Sequence, residues 1–151
     1  AVSPPATAGG PTASPGVCNP DRNVAYESEI LGLINNARAS NGLPALSLNT
    51  QLQAAANVHS ADMACNSLLS HTGSDGSSVA SRVAAQGYAA SYSVENIYAG
   101  GTAQDAHTWW MNDQIHKDAI LDTRVTEIGI GYAYLGTSTY GGYFAVDFAG
   151  P

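Results

Sequence analysis

The run Glu127-Ile-Gly-Ile-Gly-Tyr-Ala-Tyr134 constrains the fold more than any other part of the chain. Ile128, Ile130, Tyr132 and Tyr134 alternate with Glu127, Gly129, Gly131 and Ala133, a period of two that marks an extended strand. Gly136 to Gly142 turns the chain, and Tyr143 to Phe148 returns as the second strand of a hairpin. The last third therefore reads as strand throughout. Upstream the period becomes helical. Asp21 to Ser40 reads as a helix, with Ile30, Leu33, Ile34 and Ala37 on one face and Asn41-Gly42 as the stop. Leu43 to Leu46 is an extended link, and Asn49 caps a second helix. One face of that helix carries Leu52, Ala55, Ala56, His59 and Met63. It is rich in alanine, so its neighbour can pack closely, and His59 reads as a packing residue. Cys65 to Ser78 is a polar loop holding His71. A short helix from Ser77 or Ser78 to Val83 follows, stopped by Gly87. Ser93 to Ala99 reads as extended, and Gly100-Gly101 breaks it. Thr102 or Ala103 opens a helix ending in Trp109 and Trp110. Helices followed by an antiparallel hairpin predict an α+β domain rather than a doubly wound parallel sheet.

Composition narrows the function classes. The 151 residues suit one domain, which at that size buries roughly two-thirds of its unfolded surface and needs no metal merely to fold. The net charge is -7, with only five Lys and Arg, scattered along the chain. Nucleic-acid binding requires a basic stripe and adsorption to anionic membranes requires clustered Lys and Arg, so neither is expected. No apolar run approaches the roughly 18 residues of a transmembrane segment. The chain opens Ala-Val-Ser-Pro-Pro without a basic-then-apolar leader, which reads as a processed, secreted form. Residues 1–20 are mostly Pro, Gly, Ala, Ser and Thr and read as a linker or extended arm, leaving residues 21–151 as the folded domain. Cys18 and Cys65 suggest one disulfide pinning that arm to the body, the alternative being two buried thiols. No N-glycosylation sequon occurs.

No dinucleotide or phosphate loop, His-Glu-x-x-His, Cys-x-x-Cys or Gly-x-Ser-x-Gly is present. What remains is His71, Glu95, Asp113 and His116, polar residues at loop and element ends. Two imidazoles with carboxylates suit a first-row metal, zinc foremost, and equally suit general acid–base chemistry. Taken singly, Glu95 and Asp113 read as helix caps or backbone anchors, and His116 as a hydrogen-bonded core histidine. Spacing alone does not bring the four together.

Several segments jointly resemble the CAP superfamily (cysteine-rich secretory proteins, antigen 5 and pathogenesis-related proteins), in particular its short bacterial members. They are Leu33 to Leu46, Ser70-His71-Thr72 with Asp75-Gly76, Arg82 with Gly87-Tyr88, Glu95-Asn96-Ile97, Trp110 to His116, and Glu127 to Tyr132. The resemblance spans Tyr26 to Phe148 and implies a three-layer α-β-α sandwich with a central antiparallel sheet. It also implies a cavity with two histidines and two acids, which by position are His71, His116, Glu95 and Asp113. Two departures stand out. Asp113, three residues after Trp110, is one methylene shorter than the family's second acid, and Val94 replaces the usual glycine before Glu95.

The reading that follows is a secreted binding module, a monomer, whose cavity takes zinc or another divalent cation through His71 and His116. Protons compete for imidazole nitrogen, so affinity is expected to fall on acidification. The alternatives are a metal-dependent hydrolase with Glu95 as base, a lipid or sterol carrier, and a cell-envelope domain with a protein partner.

Overall fold

The computed structural model describes residues 17–151, so most of the expected arm at 1–20 lies outside the described residues. The described elements are α1 (Val24–Ser40), β1 (Ser47–Leu48), α2 (Thr50–Asn66), α3 (Val79–Ala85), β2 (Tyr92–Ala99), α4 (Ala103–Asn112), α5 (Gln114–Ile120), β3 (Glu127–Tyr134) and β4 (Gly142–Gly150). The strands form one sheet in the order β1-β3-β4-β2. Its three long strands are antiparallel, as expected. The two-residue β1 adds a parallel rung beside Glu127 and Ile128, which makes the sheet mixed.

Side chains that alternate along a strand belong to different layers. Ile128, Ile130, Tyr132, Phe144, Val146 and Phe148 face α1, α4 and α5, meeting Ile30, Ile34, Trp110 and Ile120 in the larger core. Trp110 is fully buried and donates its Nε1–H to the Ile97 carbonyl at 2.9 Å. On the opposite face Ala133, Tyr143, Ala145 and Ala149 meet α2 and α3. Gly129 and Gly131 also belong to this face. A Cβ at Gly129 would strike the Leu52 carbonyl and the Gln53 nitrogen, and one at Gly131 would strike the Ala56 carbonyl. The helix therefore lies with its backbone on the strand, and its alanines are what permit it.

The α2–β3 seam is also hydrogen-bonded. The Gln53 side-chain amide accepts from Ile130 N–H at 2.9 Å and donates to the Ile130 carbonyl, occupying both outward groups of that residue. Asp21 does the same for Tyr134 with its backbone, at 2.9 and 2.8 Å. Tyr132 lies midway between Ile130 and Tyr134 along β3, and Asn57, one helical turn beyond Gln53, lines the same cavity as Tyr132. The Asn57 Oδ1 is buried without a partner among the described residues, beside this cavity of about 340 Å³, which is lined also by Cys18, Asn19 and Pro20. Asparagine is one methylene too short to repeat the Gln53 bond. Asn57→Gln is expected to stabilise the domain by about 1 kcal/mol in urea unfolding, the worth of one recovered hydrogen bond. No gain would mean that the longer amide does not reach Tyr132.

The Asp21–Tyr134 bridge also explains why α1 begins at Val24 rather than at Asp21. Asp21 is extended on the sheet, and Asn23 caps the helix by accepting from Tyr26 N–H at 3.0 Å. Cys18 and Cys65 are joined, with Cα atoms 5.9 Å apart, which ties this segment to the end of α2. The two-residue β1 and helix α5 are the elements that the sequence reading does not predict, and for α5 the reason is its lack of an apolar period. Its apolar contribution is confined to the adjacent buried pair Ala119 and Ile120, while Ile115 is left 80% exposed. Among the described residues no helix is long and apolar enough to cross a membrane.

Candidate functional site

The outer strand β2 organises the site. Glu95 and Asn96 are successive residues and point to opposite faces. Glu95 lies on the α2/α3 side and Asn96 on the α4/α5 side.

On the α2/α3 side, the Glu95 carboxylate is almost fully enclosed, its side chain 1% exposed. Oε1 accepts from His71 Nδ1–H at 2.8 Å, and Oε2 accepts from Arg82 at 2.8 Å. Arg82 also donates to the carbonyls of His71 and Ser77, each at 3.0 Å, so one guanidinium fastens the loop to the strand. Its buried Nε has no partner among the described residues. Burial pushes the Glu95 pKa up, but His71, His59, Asp147 and Arg82 together outweigh burial and hold it below the ordinary value. The loop has a second anchor. Asp62 on α2 accepts from Ser74 N–H at 2.8 Å and also from the Ser74 hydroxyl.

His59 is a packing residue, as its place on the apolar face predicts, and it also braces this loop. Fully buried, it donates Nε2–H to the Ser70 carbonyl at 2.7 Å, immediately before His71. That bond fixes the tautomer and leaves Nδ1 without a partner among the described residues. Burial, the largest cause, lowers the His59 pKa, and it lowers that of His107 on α4 in the same way. A lowered folded value means that the unfolded chain takes up protons the folded chain refuses. The stabilisation is present above the unfolded value of about 6.5 and is lost as pH falls below it. Unfolding free energy is expected to decline from pH 7 to pH 5, and less steeply in His107→Gln. A flat profile over that range would contradict the buried neutral imidazoles.

On the α4/α5 side, Asn96 Nδ2–H donates to the His116 carbonyl at 3.0 Å and holds α5 against β2. Asp113 closes α4 and caps α5. Its carboxylate accepts from His116 Nδ1–H at 2.5 Å and from His116 N–H at 3.4 Å. The His116 side chain, the largest cause, holds the Asp113 pKa below its usual value. The short acid thus serves its own helix junction. Trp109, 48% exposed, stands edge-on to the His116 ring with centroids 4.8 Å apart.

The four residues picked from sequence therefore form two pairs, His71–Glu95 and His116–Asp113, on either side of β2. Among the described residues no cluster of three or more His, Cys, Asp or Glu suited to holding a metal is formed. The sequence reading missed Asp147, which lies opposite Glu95 on β4 and is fully buried. The available signal was a single acid inside the apolar run Tyr143 to Phe148.

Comparison with known proteins places these features in context. Residues 31–148 match the cysteine-rich secretory protein (CAP) family. The uncharacterised protein YkwD of Bacillus subtilis (strain 168) is 30% identical over 114 residues, covering 75% of this chain and 44% of its own length. The chain thus spans less than half of that relative. An extracellular protein containing an SCP domain from Bacillus anthracis str. Ames superposes with a TM-score of 0.75 at 23% identity, covering 85% of this chain and 41% of the other. An outer surface protein from Borrelia burgdorferi superposes with a TM-score of 0.79 at 18% identity, covering 87% of this chain and 98% of the other. These superpositions show the α-β-α sandwich.

Proposed function

This chain belongs to the cysteine-rich secretory protein (CAP) family, and on that premise we propose that it is an extracellular binding module whose site takes a divalent cation, zinc foremost, through Nε2 of His71 and His116. One observation carries the reading: each imidazole has its Nδ1–H held by a carboxylate, Glu95 in one case and Asp113 in the other. That arrangement fixes the tautomer with Nε2 as the lone-pair nitrogen, which is how proteins prepare histidine for a metal. Two imidazoles from the two faces of an outer strand leave coordination positions open, and zinc there would supply a Lewis-acidic anchor for a ligand's donor atom. A partner at the cell envelope, protein or lipid, would approach the open side, where the His71 side chain is 56% exposed and Trp109 48%.

The same geometry disfavours the hydrolase alternative. A general base must be free to accept a proton. Both Glu95 oxygens are already engaged, by His71 and Arg82, behind a 1%-exposed side chain. Lipid carriage along the alanine-rich face of α2 is disfavoured too, because that face is occupied by Gly129 and Gly131 of the sheet.

Zinc titration calorimetry on metal-free protein near neutral pH tests the proposal. Saturable binding is expected in the wild type and its loss in the His71→Ala/His116→Ala double variant, with the fold intact by circular dichroism. Glu95→Gln should weaken binding by about 10-fold, the usual effect of removing a carboxylate behind a ligating histidine. Zinc affinity that survives the double substitution would remove this reading.

A further inference from the structure

Asp147 is 0% exposed, and neither of its oxygens has a donor partner among the described residues. Its surroundings are set by sheet register. On one side it pairs with Glu95 of β2, and on the other with Gly129 of β3, which offers no side chain. Glu95 meets Arg82 from α3, His71 from the loop after α2 and, at 3.7 Å, His59 from α2. The enclosure thus holds two carboxyl groups, one permanent cation, and a His59 whose proton is committed to the Ser70 carbonyl. Glu95 has donors on both oxygens, whereas Asp147 has none. Two buried carboxylates face to face cannot both be charged, and the group without donors is the one that keeps the proton. With a proton on Asp147 the two carboxyls become a hydrogen-bonded pair, and both oxygens of Glu95 remain acceptors.

We propose that Asp147 is the positioning acid of this site: it carries a proton at neutral pH, donates it to Glu95, and so fixes the carboxylate that orients His71. Burial and the Glu95 charge both push Asp147 well above the usual carboxylate range, and Arg82 only partly offsets them. In the metal reading above, on which this part of the role rests, Asp147 lies directly behind Glu95 and His71. Its effect on Nε2 passes through the Glu95 carboxylate, as in other buried chains behind a ligating histidine.

The test begins on metal-free protein, so it does not depend on zinc binding. In carboxyl carbon NMR the Asp147 signal should remain that of a neutral acid from pH 5 to pH 8. Titration of Asp147 near the ordinary aspartate value would overturn the proposal. Imidazole nitrogen NMR should show His71 protonated at Nδ1 in the wild type. The same tautomer is expected in Asp147→Asn, whose amide supplies a neutral donor, and a mixture of tautomers in Asp147→Val. Zinc affinity should follow, nearly unchanged in Asp147→Asn and about 10-fold weaker in Asp147→Val. An unaltered His71 tautomer in Asp147→Val would reduce Asp147 to a buried structural group. If Asp147→Val does not fold, the wild-type titration and the Asp147→Asn tautomer still decide. If the wild type binds no zinc while the NMR results hold, the metal reading fails and the role of Asp147 in orienting His71 stands.

Discussion

Gly131→Ala is expected to lower the unfolding free energy by about 3 kcal/mol, at the upper end of what overpacking costs. Over a domain of this size that corresponds to a fall of about 10 °C in melting temperature. The new methyl group would meet the Ala56 carbonyl and the Asn57 nitrogen, which are backbone atoms of α2 and cannot rotate aside. The helix must lift from β3, and two further losses follow. Gln53 is drawn away from the Ile130 N–H and carbonyl, and Ala56, Met63 and Ala64 separate from Ala133, Tyr143 and Ala145. Gly129→Ala should behave alike, since its methyl meets the Leu52 carbonyl. Gly136→Ala is the control. There an added methyl meets only Tyr134, its hydroxyl at 3.7 Å and its ring edge at 3.9 Å, and stability should hardly move. Thermal unfolding of the three variants checks the prediction. A Gly131→Ala protein as stable as the Gly136→Ala control would mean that α2 does not sit on the strand in this way.

Arg82→Ala is expected to be at least as damaging, costing about 3–5 kcal/mol, because removal of one member of a buried ion pair leaves the other charge uncompensated. The Arg82 and Glu95 side chains are 4% and 1% exposed, so solvent offers Glu95 little relief. The carbonyls of His71 and Ser77 lose their donor in the same step. Arg82→Lys should recover only part of the loss, since one ammonium cannot span Glu95 and both carbonyls as the planar fork does. Adding Glu95→Leu to Arg82→Ala should restore stability relative to the single variant, because an apolar pair in place of a buried ion pair is often neutral or better. Urea unfolding of the wild type, Arg82→Ala, Glu95→Leu and the double variant measures this coupling. Additive losses in the double variant would show that the two groups do not interact.

These two sites show what could be read from the chain and what could not. The period of two in Glu127 to Tyr134 gave the strand, because alternation is a local property. The purpose of its glycines was not local. It depends on Leu52 and Ala56, more than 70 residues earlier, lying on that face of the sheet. The helix caps at Asn23, Asn49, Ser78 and Thr102 involve nearest neighbours: Asn49 caps as the sequence suggests, and the starts left open between Ser77 and Ser78 and between Thr102 and Ala103 have their caps at Ser78 and Thr102. The start of α1 was misplaced because Asp21 is claimed by Tyr134, a contact across most of the chain. Helix α5 stayed hidden because its buried surface is two adjacent residues, which leaves no periodicity to detect.

For the site, His71, Glu95, Asp113 and His116 were legible as polar residues at element ends and through the family resemblance. Their division into two carboxylate–imidazole pairs was not. Asp113 could be expected to reach inward or to cap, and its length decides for the cap. His59 reads correctly as a packing residue from its place on an apolar helix face, but its bond to Ser70 depends on how the following loop folds back. Asp147 is invisible in a linear reading because a lone acid in a strand acquires meaning only when the register sets it opposite Glu95.

The most direct test of the proposed site is a crystal structure of the protein grown with zinc, with diffraction recorded on both sides of the zinc absorption edge. The account predicts one strong anomalous peak about 2.0–2.1 Å from Nε2 of both His71 and His116, with Glu95 and Asp113 still on their Nδ1 atoms. A peak bound to either histidine through Nδ1, or zinc held elsewhere with both Nε2 atoms free, would contradict it.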